Sequence, residues 1–399
     1  LPNKHIFKLK KNLVGKRSKE YELLSLTLNG VIKRDMENPE GKFPAEFDTY
    51  QEVKSGDFIF CHFDVEETPR TVGLSRFDGM ITGAYTVYKV NAEKFCPEFL
   101  YYFYLNLDTG KRLKPLYKGL RNTIGKDIFG EFKTFIPNYS EQVKISNFLD
   151  QKATEIDQAI AIKEQQIALL NERKQIVIQK AVTQGLDPNV PMKDSGVEWI
   201  GQIPEHWEII RSKFLFTQRK ENSRKDDVQL SATQAYGVIP QEEYEKRTGK
   251  SVVKISLHLD KRKRVHLNDF VISMRSFQGG LERAWAEGCI RSSYVVLKPL
   301  KPIDPDYYGY LFKTPMYIKA LQNTSNFIRD GQDLNFGNFS QVDLFIVPLS
   351  EQKQIVEYIK SQLGDFEKHL ELLNQQIEKL KEYKTTLIND AVTGKIKVA

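Results

Sequence analysis

The 399-residue sequence has only three cysteines, Cys61, Cys96 and Cys289, scattered and with no CxxC spacing. So small and odd a set supplies neither a disulfide framework nor a thiolate zinc site, and it fits a reducing cytoplasm. Long apolar runs are missing as well. The most apolar short stretch, Phe99 to Leu105, is far below the ~18 residues that suggest a membrane span, and no signal peptide opens the chain, so no membrane partner is expected. The six histidines show no HExxH or paired-ligand spacing, which leaves no metal centre. No Pro-Pro pair occurs, so the Asn- or Asp-Pro-Pro-aromatic step with which adenine methyltransferases hold a flipped base is absent. The stretch Gly119 to Asp127 fails as a phosphate loop, because Asp127 follows Lys126 where a Mg²⁺-binding Ser or Thr is needed. Asp127, Glu131 and Lys133 read as an ordinary solvated face rather than a nuclease site. A chain without a catalytic centre or bound cofactor of its own is therefore expected.

What is present is a folded composition, with 40% hydrophobic and 11% aromatic residues, and a length that suggests two or three domains. Lys and Arg number 59 against 52 Asp and Glu, a net charge of +7. That excess is small but of the sign a polyanion partner prefers.

The chain repeats itself. Ser140-Glu141-Gln142 returns as Ser350-Glu351-Gln352, an offset of 210 residues (350 − 140). The same offset carries Gln165-Gln166-Ile167 onto Gln375-Gln376-Ile377, and Ala181-Val182-Thr183 onto Ala391-Val392-Thr393. Within each copy apolar residues recur at alternating steps of three and four, the heptad signature of a coiled-coil seam. The first seam runs Leu149, Ala153, Ile156, Ile160, Lys163, Ile167, Leu170, Lys174, Val177, Ala181. The second runs Ile359, Leu363, Phe366, Leu370, Leu373, Ile377, Leu380, Lys384, Leu387, Ala391. Helices of about 44 residues would be roughly 66 Å long, far more than a globular core requires. Gly185 with Pro188, and Gly394, mark their ends.

The segments before the helices match in pattern more than in identity. Val53 to Phe58 parallels Val265 to Phe270, and the strand pattern Gly79 to Tyr88 parallels Gly288 to Leu297. Tyr-rich helical stretches follow at Phe99 to Leu107 and Tyr307 to Phe312, and a Phe-Gly-x-Phe at Phe129 to Phe132 and Phe336 to Phe339. The economical reading is an α+β chain with an internal pseudo-two-fold repeat: two homologous mixed α/β domains and two long antiparallel coiled-coil helices. The expected boundaries are 1–139 for the first domain, 140–185 for the first helix, 186–349 for linker and second domain, and 350–399 for the second helix. The linker, Gly185 to Trp207, is broken by Pro and Gly and predicts an irregular crossing.

At this point the sequence resembles the specificity subunits of Type I restriction-modification systems. The phrase from Met192 to Trp207, the two Ser-Glu-Gln segments and the loop Met274 to Gly280 carry the resemblance, which spans essentially the whole chain. It is weakest at the N-terminus, where Pro2 and His5 to Lys8 only partly echo Pro204 to Ile210, and a missing leader is expected. The resemblance implies that each domain is a target-recognition domain reading one half of a split, asymmetric double-stranded DNA target. It also implies that the paired helices set the spacing and bind two methyltransferase (modification) subunits, with restriction subunits in the complex. S-adenosylmethionine, ATP and Mg²⁺ would then sit on those partner chains. A stand-alone DNA binder, a self-sufficient enzyme and a plain coiled-coil scaffold are the rival readings.

Reading DNA requires Lys and Arg for phosphates and forked or amide side chains for base edges. In the second domain Arg219, Lys220, Arg224 and Lys225 form one basic group, Lys246, Arg247 and Lys250 a second, and Lys261, Arg262, Lys263 and Arg264 a third. The loop Arg275, Ser276, Phe277, Gln278, Gly279, Gly280 is the leading base-contact candidate, since Arg can fork onto guanine and Gln onto adenine. The corresponding first-domain stretch, Glu67 to Arg76, offers Arg70, Thr71 and Arg76. Lys111, Arg112, Lys114, Lys118, Arg121 and Lys126 crowd a phosphate-clamp segment, answered in the second domain by Arg329, Gln332 and Asn335.

Overall fold

The structure is a computed structural model that describes residues 1–36, 46–253, 259–324 and 335–398. It divides into two compact units, Leu1–Gln165 with Leu373–Ala399, and Gln166–Leu372.

In the first unit a four-stranded antiparallel sheet has the order Phe7–Lys10, Thr86–Val90, Phe58–Phe60, Val72–Leu74. Its central strand is buried throughout because alternate side chains enter two different cores. Phe58 and Phe60 join an aromatic cluster with Phe7, Tyr88, Tyr104 and Phe129, while Ile59 faces Leu24, Val53 and Val87. Two smaller strand pairs, Leu24–Thr27 with Gly30–Lys33 and Gln51–Val53 with Gly79–Ile81, cover that second face. Helix Pro97–Thr109 contributes Phe99, Leu100, Phe103 and Tyr104 to the aromatic side.

The second unit repeats this plan. Its sheet runs Phe216–Gln218, Val295–Pro299, Phe270–Ile272, Glu282–Arg283. The smaller pairs are Leu230–Thr233 with Gly237–Pro240 and Lys263–Val265 with Gly288–Ile290. The likeness extends to register: Phe58 lies opposite Tyr88 and Leu74, and Phe270 opposite Leu297 and Arg283. The residue before each central strand is a buried Asp. Lys10 meets Asp57 at 2.8 Å in the first unit, and Arg219 meets Asp269 at 2.7 Å in the second.

Several local expectations change. The strand patterns Gly79 to Tyr88 and Gly288 to Leu297 are each two strands, broken by turns in which Tyr85 N–H donates to Thr82 O and Tyr294 N–H to Arg291 O. Each break lets the chain pass from a small pair into the main sheet. The Phe-Gly-x-Phe match is three residues out of register. Helices Lys126–Glu131 and Phe336–Gln341 align through their caps Gly125 and Asn335, so Phe129 corresponds to Phe339. Both are buried, and each packs on the first sheet strand, Phe129 on Phe7 at 5.7 Å and Phe339 on Phe216 at 6.0 Å. The second Tyr-rich stretch is followed at once by another helix, so that Pro305–Leu311 and Pro315–Asn323 stand where the first unit has one. The linker contains an ordered ribbon, Met192–Asp194 paired with Gln202–Pro204, and ends on the fully buried Trp207.

The long helices span Tyr139–Gln184 and Leu349–Val392. In the first unit they run antiparallel, as Lys163 Nζ donates to Gln376 Oε1 at 2.6 Å and Lys384 Nζ pairs with Asp157 at 2.7 Å. The seam residues Ile156, Ile160, Leu373, Ile377 and Leu380 in this unit are buried or half-buried, as are Ile167, Leu170, Phe366 and Leu370 in the other. The Gln of each Ser-Glu-Gln ties a helix start to its domain: Gln142 accepts from Cys96 N–H at 2.9 Å and Gln352 from Asp304 N–H at 2.7 Å. The repeated Ala-Val-Thr has an equally physical meaning. Ala391 and Val392, with Ile388, end the second helix inside the first unit's aromatic core. Ala181 and Val182, with Ile178, end the first helix inside the second unit's core, where Tyr307 OH donates to Val182 O at 2.6 Å.

Two outcomes follow. Ile388→Ala opens a cavity in the first core and is expected to cost about 2–5 kcal/mol in urea unfolding, whereas Ile162→Ala, 56% exposed on the other helix, stays within about 0.5 kcal/mol. His62 is stacked on Phe60, and burial lowers its pKa to about 4. Between that value and about 6.5 the unfolded chain binds a proton the folded chain refuses, so stability falls with falling pH, by up to about 1.4 kcal/mol per unit. Urea titrations at pH 5 and 7 are expected to show this loss in the native chain and a smaller one in His62→Phe.

Candidate nucleic-acid interface

In the second unit the strand Phe270–Ile272 runs into a pinned loop. Ser273 N–H donates to the buried Ser276 Oγ at 2.9 Å, and Ser276–Gly279 forms one short helical turn. Gln322 holds the Phe277 carbonyl, Lys313 holds that of Gly279, and Phe277 packs on the core. Gly280 has φ +74°, and a Cβ there would lie 1.9 Å from the Phe312 carbonyl oxygen. The Gly pair therefore serves close approach within the protein. What the loop exposes is Met274, Arg275 and Gln278.

Beside it stands the turn of the hairpin Leu230–Thr233 and Gly237–Pro240. The Gln234 side chain lies against Gly279, and its Nε2 is 3.5 Å from the Arg275 carbonyl. Across Gly237 sits Trp285, 52% exposed, with the Arg283 guanidinium 4.1 Å from its ring centre. Arg247 lies 5.1 Å over the Tyr236 ring. One surface thus presents a forking Arg, two amides and an aromatic, the groups that read guanine, adenine and thymine edges.

The other second-unit candidates divide. Lys220, Arg224, Lys225, Lys246, Lys250 and Lys261 are exposed. Arg262 and Arg264, two residues apart at the start of a strand, share its inward face. They are 5% and 9% exposed, against Gln229 and Asp227 respectively, and Lys263 Nζ bonds the Tyr294 carbonyl. Arg219 is the counterpart of Lys10 and is held by Asp269 and Glu221. Asn335 caps the helix Phe336–Gln341 through a reciprocal bond with Asn338. Arg329 and Gln332 lie outside the described residues.

In the first unit one buried carboxylate gathers three candidates. Asp108 accepts from Thr71 N–H at 2.9 Å and Oγ1 at 2.6 Å, from Arg70 at 3.4 Å and from Lys111 at 2.9 Å. Thr71 is itself buried. Arg112 is exposed and bonds Asn389, Lys114 pairs with Glu66, and Arg121 forks onto Asp64. Lys118 and Lys126 are exposed. Arg76 does not lie in the loop equivalent to Arg275–Gly280. By sheet register it follows Leu74 as Trp285 follows Arg283, and it stands exposed between two clefts of about 590 and 550 Å³ that share Lys33, Arg76 and Phe77.

Sequence reasoning missed Gln234 and Trp285. The only available signal was an exposed-type turn, Gln234-Ala235-Tyr236-Gly237, and an aromatic outside any apolar period. Among the described residues no group of three or more His, Cys, Asp or Glu could hold a metal ion, and no helix is long and apolar enough to cross a membrane.

Residues 204–382 match the family model described as Type I restriction modification DNA specificity domain. That stretch is similar to a Type I restriction modification DNA specificity domain. Specificity subunits are the non-catalytic targeting components of such systems. The Type I restriction enzyme MjaVIII specificity subunit of Methanocaldococcus jannaschii is 25% identical over 337 residues, covering 78% of this chain and 74% of that protein. A chain solved under the heading "Structural basis underlying complex assembly and conformational transition of the type I R-M system" shares the fold, with TM-score 0.65, 13% identity, and 98% and 96% of the two chains covered. The HsdS subunit from Thermoanaerobacter tengcongensis gives TM-score 0.52 at 13% identity, covering 99% of this chain and 96% of that one. The mixed α/β fold with two long helices is thus shared with these solved chains, and the exposed loop around Arg275 lies within the matched residues 204–382.

The two kinds of Arg separate by substitution. Arg219→Ala strands the buried Asp269 and is expected to cost about 3–5 kcal/mol in unfolding. Arg275→Ala is expected to leave unfolding within about 0.5 kcal/mol while weakening the preferred duplex by about 1–3 kcal/mol in a fluorescence-anisotropy titration.

Proposed function

We propose that this chain is the DNA-reading subunit of a Type I restriction-modification enzyme, that it recognises a bipartite, asymmetric double-stranded target, and that it docks two modification subunits and restriction subunits. The carrying observation is that two domains with the same strand order and register differ where they meet solvent. Arg76 stands where the second has Trp285, and the turn Leu28-Asn29 stands where the second has Gln234-Ala235-Tyr236. Equal scaffolds with unequal tips suit two different half-sites. The long helices then act as the ruler between half-sites and as the surface for the modification subunits, and one DNA turn, about 34–36 Å, is the expected separation of half-site centres. S-adenosylmethionine, ATP and Mg²⁺ belong to the partner chains in this reading. The compartment it requires is the cytoplasm, where the buried, unpaired Cys61, Cys96 and Cys289 stay reduced.

Coexpression with a modification subunit in an unmethylated host, followed by single-molecule sequencing of modified bases, tests the reading. A split, asymmetric motif with a fixed spacer is expected, and inserting one heptad into each long helix is expected to change the spacer and leave both half-sites unchanged. A stable complex that modifies nothing would instead favour a stand-alone DNA binder.

A further inference from the structure

The segment Lys118–Thr123 in the first unit is a closed hairpin: Lys118 N–H donates to Thr123 O and Thr123 N–H to Lys118 O, both at 2.9 Å. Its tip needs left-handed backbone at Gly119, φ +71°, and Asn122, φ +43°. Two side chains of the tip, Arg121 and Asn122, are turned back into the domain. Arg121 forks onto Asp64 and lies 5.1 Å over the Phe63 ring, Asp64 N–H donates to Arg121 O at 2.7 Å, and Asn122 Nδ2 donates to Glu67 at 3.0 Å. At the base, the buried Ile124 N–H bonds His62 O at 2.8 Å.

One side chain points the other way. Leu120 is 105% exposed, more than any other large hydrophobic residue among the described ones. A pinned turn that shows water a whole leucine forgoes burial that a looser loop would find. Next to it in the hairpin are Lys118, exposed, and Arg121, exposed and paired with Asp64, and the flanking chain carries the exposed Lys114, paired with Glu66, and Lys126. An apolar wedge flanked by Lys and Arg is the combination with which proteins part a base step from the minor groove: the cations hold the phosphates and the wedge unstacks the step.

We propose that Leu120 is a wedge that the first domain inserts between base pairs of duplex DNA. This rests on the DNA-reading function above and adds the way in which one half-site is read, through deformability of a step as well as base edges.

The test uses the full chain and duplexes it enriches from a randomised pool, rebuilt with 2-aminopurine at each position in turn. Native chain is expected to raise 2-aminopurine fluorescence at one step. Leu120→Ala is expected to abolish that rise and weaken binding about tenfold with an unchanged melting temperature, and Leu120→Met to retain both. Binding by the native chain with no rise at any step, or the same rise in Leu120→Ala, would overturn the wedge and leave the DNA-reading function standing. Failure to enrich any duplex would overturn both. Unchanged DNA responses with weakened capture of a modification subunit would assign the tip to a protein partner and overturn the wedge.

Discussion

The burial of the last turn of each long helix is the constraint on which the rest of the structure depends. Ile388, Ala391 and Val392 complete the core formed by Phe7, Phe58, Tyr104 and Phe129, and Ile178, Ala181 and Val182 complete the core around Trp207 and Tyr307. At the other end Gln142 and Gln352 fix the starts through backbone groups of their own domains. Each helix is then anchored twice, and the polar seam contacts, Lys163 with Gln376 and Lys384 with Asp157, are free to specify alignment more than to supply stability.

With the cores closed in this way, charge serves two separate ends. Lys10 with Asp57 and Arg219 with Asp269 occupy one place in the two copies and tie the strand that follows the Asp to the edge strand two places away. Asp108 does a similar task for Arg70, Thr71 and Lys111. Among the groups that remain at the surface, Arg76 in one domain and Arg275, Gln278, Gln234 and Trp285 in the other differ between the copies. The scaffold is shared and the tips differ, as the proposed pair of half-sites of different sequence would require.

Much of this was legible in the sequence because it lies in periodicity. The 210-residue offset, the heptads and the Gly stops all express one-dimensional rules; helix Tyr139–Gln184 and the start of Leu349–Val392 match the expected bounds to within a residue or two, while the second helix ends at Val392, just before Gly394 and seven residues short of the expected 399. The mixed α/β domains were legible for the same reason. What was not legible depends on who faces whom. Nothing in Lys261-Arg262-Lys263-Arg264 says that two of its guanidinium groups turn inward, because that follows from strand pairing with Gly288–Ile290. The slip that set Phe129 against Phe336 arose because a shared tetrapeptide outweighed helix capping, which only three dimensions reveal. Leu120 was invisible because an isolated leucine in a sequence reads as core.

The central claim is that the two domains read separate DNA segments with different surface residues. Hydroxyl-radical footprinting of the full chain on its enriched duplex tests this most directly, comparing native protein with Arg76→Ala and Arg275→Ala. Two protected tracts are expected, one weakened by each substitution alone. A single tract, or both substitutions erasing the same tract, would contradict the account.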